Sequence, residues 1–121
     1  MIVLDTNILI EILKAEPKTI QKVKSFEKPL AISSITVMEL YYGALNKNEL
    51  KKLENFVNLF EIIHLNENIS RTSTKLIKKY AKSHTIDIPD SLIASTTIEH
   101  KSKLFTYNLK DFKYIEGLEL V

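Results

Sequence analysis

Three short stretches, Leu4-Asp5-Thr6-Asn7, Met38-Glu39-Leu40 and Pro89-Asp90-Ser91, each set an acid among apolar neighbours. An unpaired carboxylate buried in such surroundings costs on the order of several kcal/mol, so something must hold the charge. A hard divalent cation shared by the three acids is the simplest holder, and magnesium or manganese in an all-oxygen site is the usual equipment for cutting a phosphodiester. That reaction needs a nucleophilic water, relief of charge on the phosphoryl oxygens and help for the leaving oxygen. Four of the 15 acids are aspartate (Asp5, Asp87, Asp90 and Asp111), and all lie beside these segments or beside Asn108, a fourth candidate that follows the last clear strand.

The elements that must position them are legible from periodicity. Met1 to Leu4, Leu30 to Ser33, Glu61 to Leu65 and Leu104 to Tyr107 read as short buried strands, and Leu118 to Leu120 as an edge strand. Between them lie helical patterns: Thr6 or Asn7 to about Ala15, from Pro17 onward, Ile35 to about Leu45, from Asn48, a long amphipathic stretch to about Ser83, and Asp90 to about Lys101. The helix containing Glu39 is apolar on nearly every side and is expected to be largely buried. Strands separated by helices, with no Asn-Gly or Asp-Gly hairpin turn, call for an α/β fold with a parallel sheet covered on both faces. In such sheets ligands sit beyond the carboxyl ends of the strands, the rim to which Asp5, Glu39, Asn108 and Asp111 are expected to come.

At 121 residues, 45% hydrophobic and 26% charged, the chain is expected to be one ordered domain spanning residues 1–121. The absence of cysteine excludes disulfides, thiolate nucleophiles and sulfur-ligated metals. No signal-peptide pattern and no run long enough to span a bilayer is present, so a cytoplasmic location with no membrane partner is expected. The net charge is only +2 and a single arginine, Arg71, stands among the 17 basic residues, which disfavours base reading by an arginine array.

Taken in order, Met1-Ile-Val-Leu-Asp-Thr-Asn, Ser34-Ile-Thr-Val-Met-Glu-Leu-Tyr-Tyr-Gly, Ile88-Pro-Asp-Ser-Leu-Ile-Ala-Ser and Leu104-Phe-Thr-Tyr-Asn-Leu-Lys-Asp-Phe resemble the PIN-domain proteins, in particular the VapC-type toxins of bacterial and archaeal toxin–antitoxin pairs. The resemblance spans essentially the whole chain. It implies a three-layer α/β/α sandwich around a parallel sheet, a magnesium- or manganese-dependent endoribonuclease, a homodimer and a cognate antitoxin that blocks the site. It maps the acidic core onto Asp5, Glu39 and Asp90, with Asp5 and Asp90 as metal ligands and Thr6 and Asn7 as the polar pair beside the first acid. Asn108 falls where many members carry a fourth acid, though asparagine is also met there. A neutral amide orients a water but adds no charge, and Asp111 is the nearest residue able to compensate.

Blander roles stand beside each of these. Asp5, Thr6 and Asp90 occupy positions where a helix cap is wanted, Asp87 is read as a loop or capping residue, and Asn108 with Asp111 suits a turn. Lys75, Lys78, Lys79 and Lys82 form a stripe that is by default a solvated face, Tyr41 and Tyr42 suit core or dimer contacts, and His64, His84 and His100 lack metal spacing. A degenerate domain that binds RNA or protein without cutting is the alternative function. A phosphoacceptor receiver domain is excluded, because His64-Leu65-Asn66 offers no aspartate after the third strand. A sugar-phosphate hydrolase is excluded by Asn7, which stands where a second aspartate belongs.

Overall fold

In the computed structural model, which describes residues 1–121, the apolar runs form five strands of one sheet: β1 (Ile2–Leu4), β2 (Leu30–Ser33), β3 (Glu61–Ile63), β4 (Lys103–Phe105) and β5 (Glu119–Leu120). Every pairing is parallel and the order is β3-β2-β1-β4-β5. β1 lies at the centre, with Ile2 opposite Leu30 on one side and Lys103 on the other. The connections are helical: α1 (Thr6–Leu13), α2 (Pro17–Ser25), α3 (Ser34–Tyr42), α4 (Lys47–Val57), α5 (Glu67–His84), α6 (Ile88–Glu99) and α7 (Leu109–Phe112).

The two-residue period of β1 divides the interior. Val3 enters one core with Ile69, Ile93, Leu104 and Phe112, beneath α5, α6 and α7. Ile2 and Leu4 enter the other with Ile8, Leu9, Val23 and Val57, beneath α1, α2 and α4. The result is a three-layer α/β/α sandwich whose central strand is buried on both faces.

Helix starts follow cap chemistry. Asp5, Ser33, Asn46, Asn66 and Asp87 each accept a bond from a first-turn backbone N–H, which is worth about 1 kcal/mol apiece. Two expected starts shift for this reason: α4 begins behind Asn46 rather than Asn48, and Asp87, not Asp90, caps α6. Residues 109–112, to which no element is assigned from sequence, close into the short helix α7, with Phe112 drawn fully into the core.

The expectation that α3 is largely buried is overturned. Ser34, Thr36 and Leu40 face inward, while Met38, Glu39 and Tyr42 are exposed, Tyr42 at 94%. Apolar composition on all sides marks here a helix with one uncovered apolar face, not a helix enclosed by protein. Phe112→Ala should destabilise the protein by about 3–5 kcal/mol in denaturant melts, by emptying a filled core site and releasing α7.

Candidate active site

The strand order reverses direction at β1: β2 and β3 are laid down on one side, β4 and β5 on the other. Such a reversal leaves a crevice beyond the carboxyl ends of the two strands that flank it. β1 delivers Asp5 to that crevice and β4 delivers Thr106, one residue beyond Phe105. Dinucleotide-binding sheets share this order but use a glycine-rich first turn to cradle phosphate. Here the turn is Asp5-Thr6-Asn7, and a buried carboxylate at the opening repels an anion unless a cation intervenes.

Asp5 is 4% exposed, and both of its oxygens are engaged. Oδ1 accepts the Thr6 backbone N–H at 2.8 Å and Oδ2 accepts the Thr106 hydroxyl at 2.7 Å. Thr106 Oγ1 in turn accepts the Asn108 backbone N–H at 3.0 Å, so each bond polarises the next. Burial raises the Asp5 pKa above the usual carboxylate range; the Thr106 and Thr6 bonds oppose that, and repulsion from Glu39 and Asp111 adds to it.

Glu39, exposed on α3, is tied to the same crevice by hydroxyls. Thr6 Oγ1 lies 2.8 Å from Glu39 Oε1 and 2.9 Å from Thr36 Oγ1. One hydroxyl has one proton, so Thr6 donates to Glu39 and Thr36 donates to Thr6. Asn7 Oδ1 accepts a long 3.5 Å bond from the Tyr107 backbone N–H, joining the β1 and β4 turns.

Asp90 sits half-buried in the first turn of α6, its N–H bonded to Asp87. Its carboxyl is pushed up to about 7, first by burial and then by repulsion from Asp87, Asp5, Asp111 and Glu39. That set places Asp5, Glu39, Asp90 and Asp111 in one electrostatic neighbourhood although they are far apart in sequence. Asp111, on α7, is exposed but acts on both Asp5 and Asp90. Asn108 precedes α7 without capping it and leaves its side-chain amide uncommitted at the rim.

No lysine or arginine pairs with any of these acids; the four salt bridges of the protein involve other residues. The acids repel one another across a site lined by oxygen donors. That donor set, short of positive charge, suits a hard divalent cation. No three of the carboxylates stand close enough together in the structure to hold one ion between them.

The reading by residue type missed Thr36 and Thr106. A threonine at a strand end carries no sequence signal of its own; the partner that reveals Thr106 is 101 residues away. His84 stacks on Tyr114 at 4.1 Å, and Lys79 pairs with Glu116 at 2.8 Å, so neither joins the acids.

The comparisons with known proteins fall on this geometry. The PIN domain family model matches residues 2–118. The chain is a PIN domain. Ribonuclease VapC1 of Rickettsia felis is 33% identical over 99% of this chain and 94% of that protein. Ribonuclease VapC19 of Mycobacterium tuberculosis is 30% identical over 98% of each. Among solved structures, VapBC2 from Rickettsia felis bound to a DNA fragment from their promoter superposes with a TM-score of 0.86 at 30% identity, covering 100% of this chain and 98% of that one. No helix of this PIN domain is long and apolar enough to cross a membrane.

The raised Asp90 pKa has a defined sign. Between the ordinary carboxylate value and about 7 the folded state holds a proton that the unfolded chain has released, so metal-free stability falls as pH rises through that window. In EDTA, Tm should therefore drop from about pH 5 to about pH 8, and Asp90→Asn should flatten the slope. Added Mg²⁺ or Mn²⁺ should raise Tm most at the alkaline end, where the acids are ionised; thermal melts over a pH series check all three.

Proposed function

We propose that this PIN domain, spanning residues 1–121, is a divalent-metal-dependent endoribonuclease acting in the cytoplasm as the toxin of a toxin–antitoxin pair. The observation that carries the reading is the four-acid neighbourhood at the strand-order reversal, none of whose members is salt-bridged to a lysine or arginine. The ribonuclease names of relatives aligned over nearly the full chain support RNA as the substrate.

Asp5 and Asp90 would hold the ion, with Glu39 and Asp111 completing the negative field. Magnesium or manganese, when bound, supplies charge relief on the phosphoryl oxygens and acidifies a water. The remaining work falls to the chain. Thr106 and the Thr6 N–H fix the Asp5 carboxylate, so its position does not depend on the ion. Thr6, supported by Thr36, holds the Glu39 carboxylate, which would bind the ion or position its water. The Asn108 amide has free donors for a phosphate oxygen.

Just outside the acids, Lys110 and Lys113 of the α7 region line a depression of about 600 Å³ with His84, Tyr114 and Asp111. Neither lysine is salt-bridged, so both are available to a polyanionic backbone. A solved toxin–antitoxin complex from Klebsiella pneumoniae, one chain of which is 30% identical to this one over 98% of this chain's length, supports an antitoxin partner. The exposed Met38 and Tyr42 of α3, with Leu45 beyond it, suit that partner or a second copy in a homodimer.

The test is RNA cleavage by the purified protein in Mg²⁺ and in Mn²⁺. EDTA should abolish it, and Asp5→Asn should reduce it by more than about 100-fold, beyond the range of a supporting residue. Thr106→Val, which leaves one Asp5 oxygen without its donor, should cost about 10- to 100-fold with the fold intact. RNA binding without cleavage in either metal would favour the non-cutting module, a reading that the neutral amide of Asn108 supports.

A further inference from the structure

We propose that Tyr107 is a nucleobase-stacking platform for the nucleotide that flanks the scissile phosphate. This rests on the nuclease reading and adds to it a subsite defined by a single aromatic ring.

Tyr107 stands between Thr106, whose hydroxyl holds Asp5, and Asn108, whose N–H holds Thr106. Its backbone N–H reaches Asn7 of the opposite turn. The Tyr107 backbone is therefore rooted at the crevice, next to the threonine that holds the central acid. The side chain is also fixed at its far end. The phenol oxygen lies 2.6 Å from Oγ1 of Thr19 on α2, a threonine only 1% exposed. One edge packs on Phe105, with centroids 5.4 Å apart and planes at 76°, and Phe105 meets Phe26 in the same way.

Despite these anchors Tyr107 is 49% exposed. A surface tyrosine commonly leaves its hydroxyl in water. Here the hydroxyl is bonded to a buried threonine, while about half of the residue stays open to solvent. A rigid, half-exposed π-surface beside a phosphate-cutting centre matches what single-stranded RNA recognition uses, because every base has a face to stack and the ring loses little freedom on binding.

No other aromatic combines these properties. Tyr42 is more exposed, but no hydrogen bond or ring contact fixes it. Tyr114 is covered on one face by the His84 ring, and Phe105 is buried. Arg71, the lone arginine, is engaged with Glu67 on α5, so no guanidinium plane takes the role.

The experiment compares wild type, Tyr107→Leu and Tyr107→Phe of the full chain, using a randomised short single-stranded RNA with Ca²⁺ in place of the catalytic metal. Fixed-sequence RNAs carrying one abasic nucleotide, scanned through every position, are then titrated against each protein. Losing one stacked base weakens binding by about five- to 150-fold, and Tyr107→Leu is expected to fall in that range; in a parallel cleavage assay with Mg²⁺, KM should rise with kcat little changed. Tyr107→Phe should keep wild-type affinity while melting earlier, since it loses only the Thr19 bond. One abasic position should weaken wild type by the same factor and leave Tyr107→Leu unaffected.

Equal affinity of Tyr107→Leu and wild type would overturn the inference and leave Tyr107 as a tether of α2. An abasic scan that affects both proteins alike would also overturn it. Should Tyr107→Leu prove unstable, the scan on wild type still decides, because no position with a loss of that size means no stacked base. A wild type that cuts RNA yet shows none of these effects refutes the stacking site alone; a wild type that neither cuts nor binds refutes the nuclease reading with it.

Discussion

A carboxylate held away from water at the end of the central strand is the constraint around which the rest is arranged. Asp5 is buried, pairs with no lysine or arginine, and is kept in place by two donors, the Thr6 N–H and the Thr106 hydroxyl. These bonds stabilise the charged form, yet burial still outweighs them and raises its pKa. Asp90, Glu39 and Asp111 add repulsion where the protein could have added a lysine. Stability is forgone at this point, and the site is left with an appetite for positive charge.

The sheet explains how four distant segments meet. Parallel strands share one carboxyl-terminal rim, and reversal of order at β1 opens a crevice in that rim rather than elsewhere. Hydroxyls do the fine positioning. The relay from Asn108 through Thr106 to Asp5 joins the turns after β4 and β1, and that from Thr36 through Thr6 to Glu39 joins α3 to α1, without a single basic residue. Helix α6 shows the same economy. It is buried along much of its length yet rich in Ser and Thr, and Thr96 and Thr97 return their hydroxyls to carbonyls one turn back. The same strand order elsewhere binds dinucleotides, so the architecture did not dictate the chemistry; the acid placed in the first turn did.

Much of this was legible in the residues. Short apolar runs, cap residues and the absence of hairpin turns specified strands, helices and a parallel sheet, since periodicity and turn chemistry are local properties. The scarcity of aspartate outside the site segments singled out Asp5, Asp90 and Asp111. Local reasoning misled where the outcome depended on what lies across the fold. Helix α3 reads as buried because its composition is apolar, but whether a neighbour covers it is not written in its own sequence, and Met38 and Tyr42 remain open. Residues 109–112 carry too little periodicity to reveal a helix, and only the core socket for Phe112 makes them one. Asp90 resembled a cap until Asp87, three residues earlier, took the bond.

The sequence by itself determined the elements, the parallel class of the sheet and the acids available to the site, because hydrophobic period, caps and side-chain chemistry act over a few residues. Tertiary structure alone decided the degree of burial of each acid, the pairing of Thr106 with Asp5 and of Thr6 with Glu39, and the tie of the half-exposed Tyr107 to Thr19. Those properties are set by groups 30 to 101 residues apart. Only the folded sheet brings them within reach of one another.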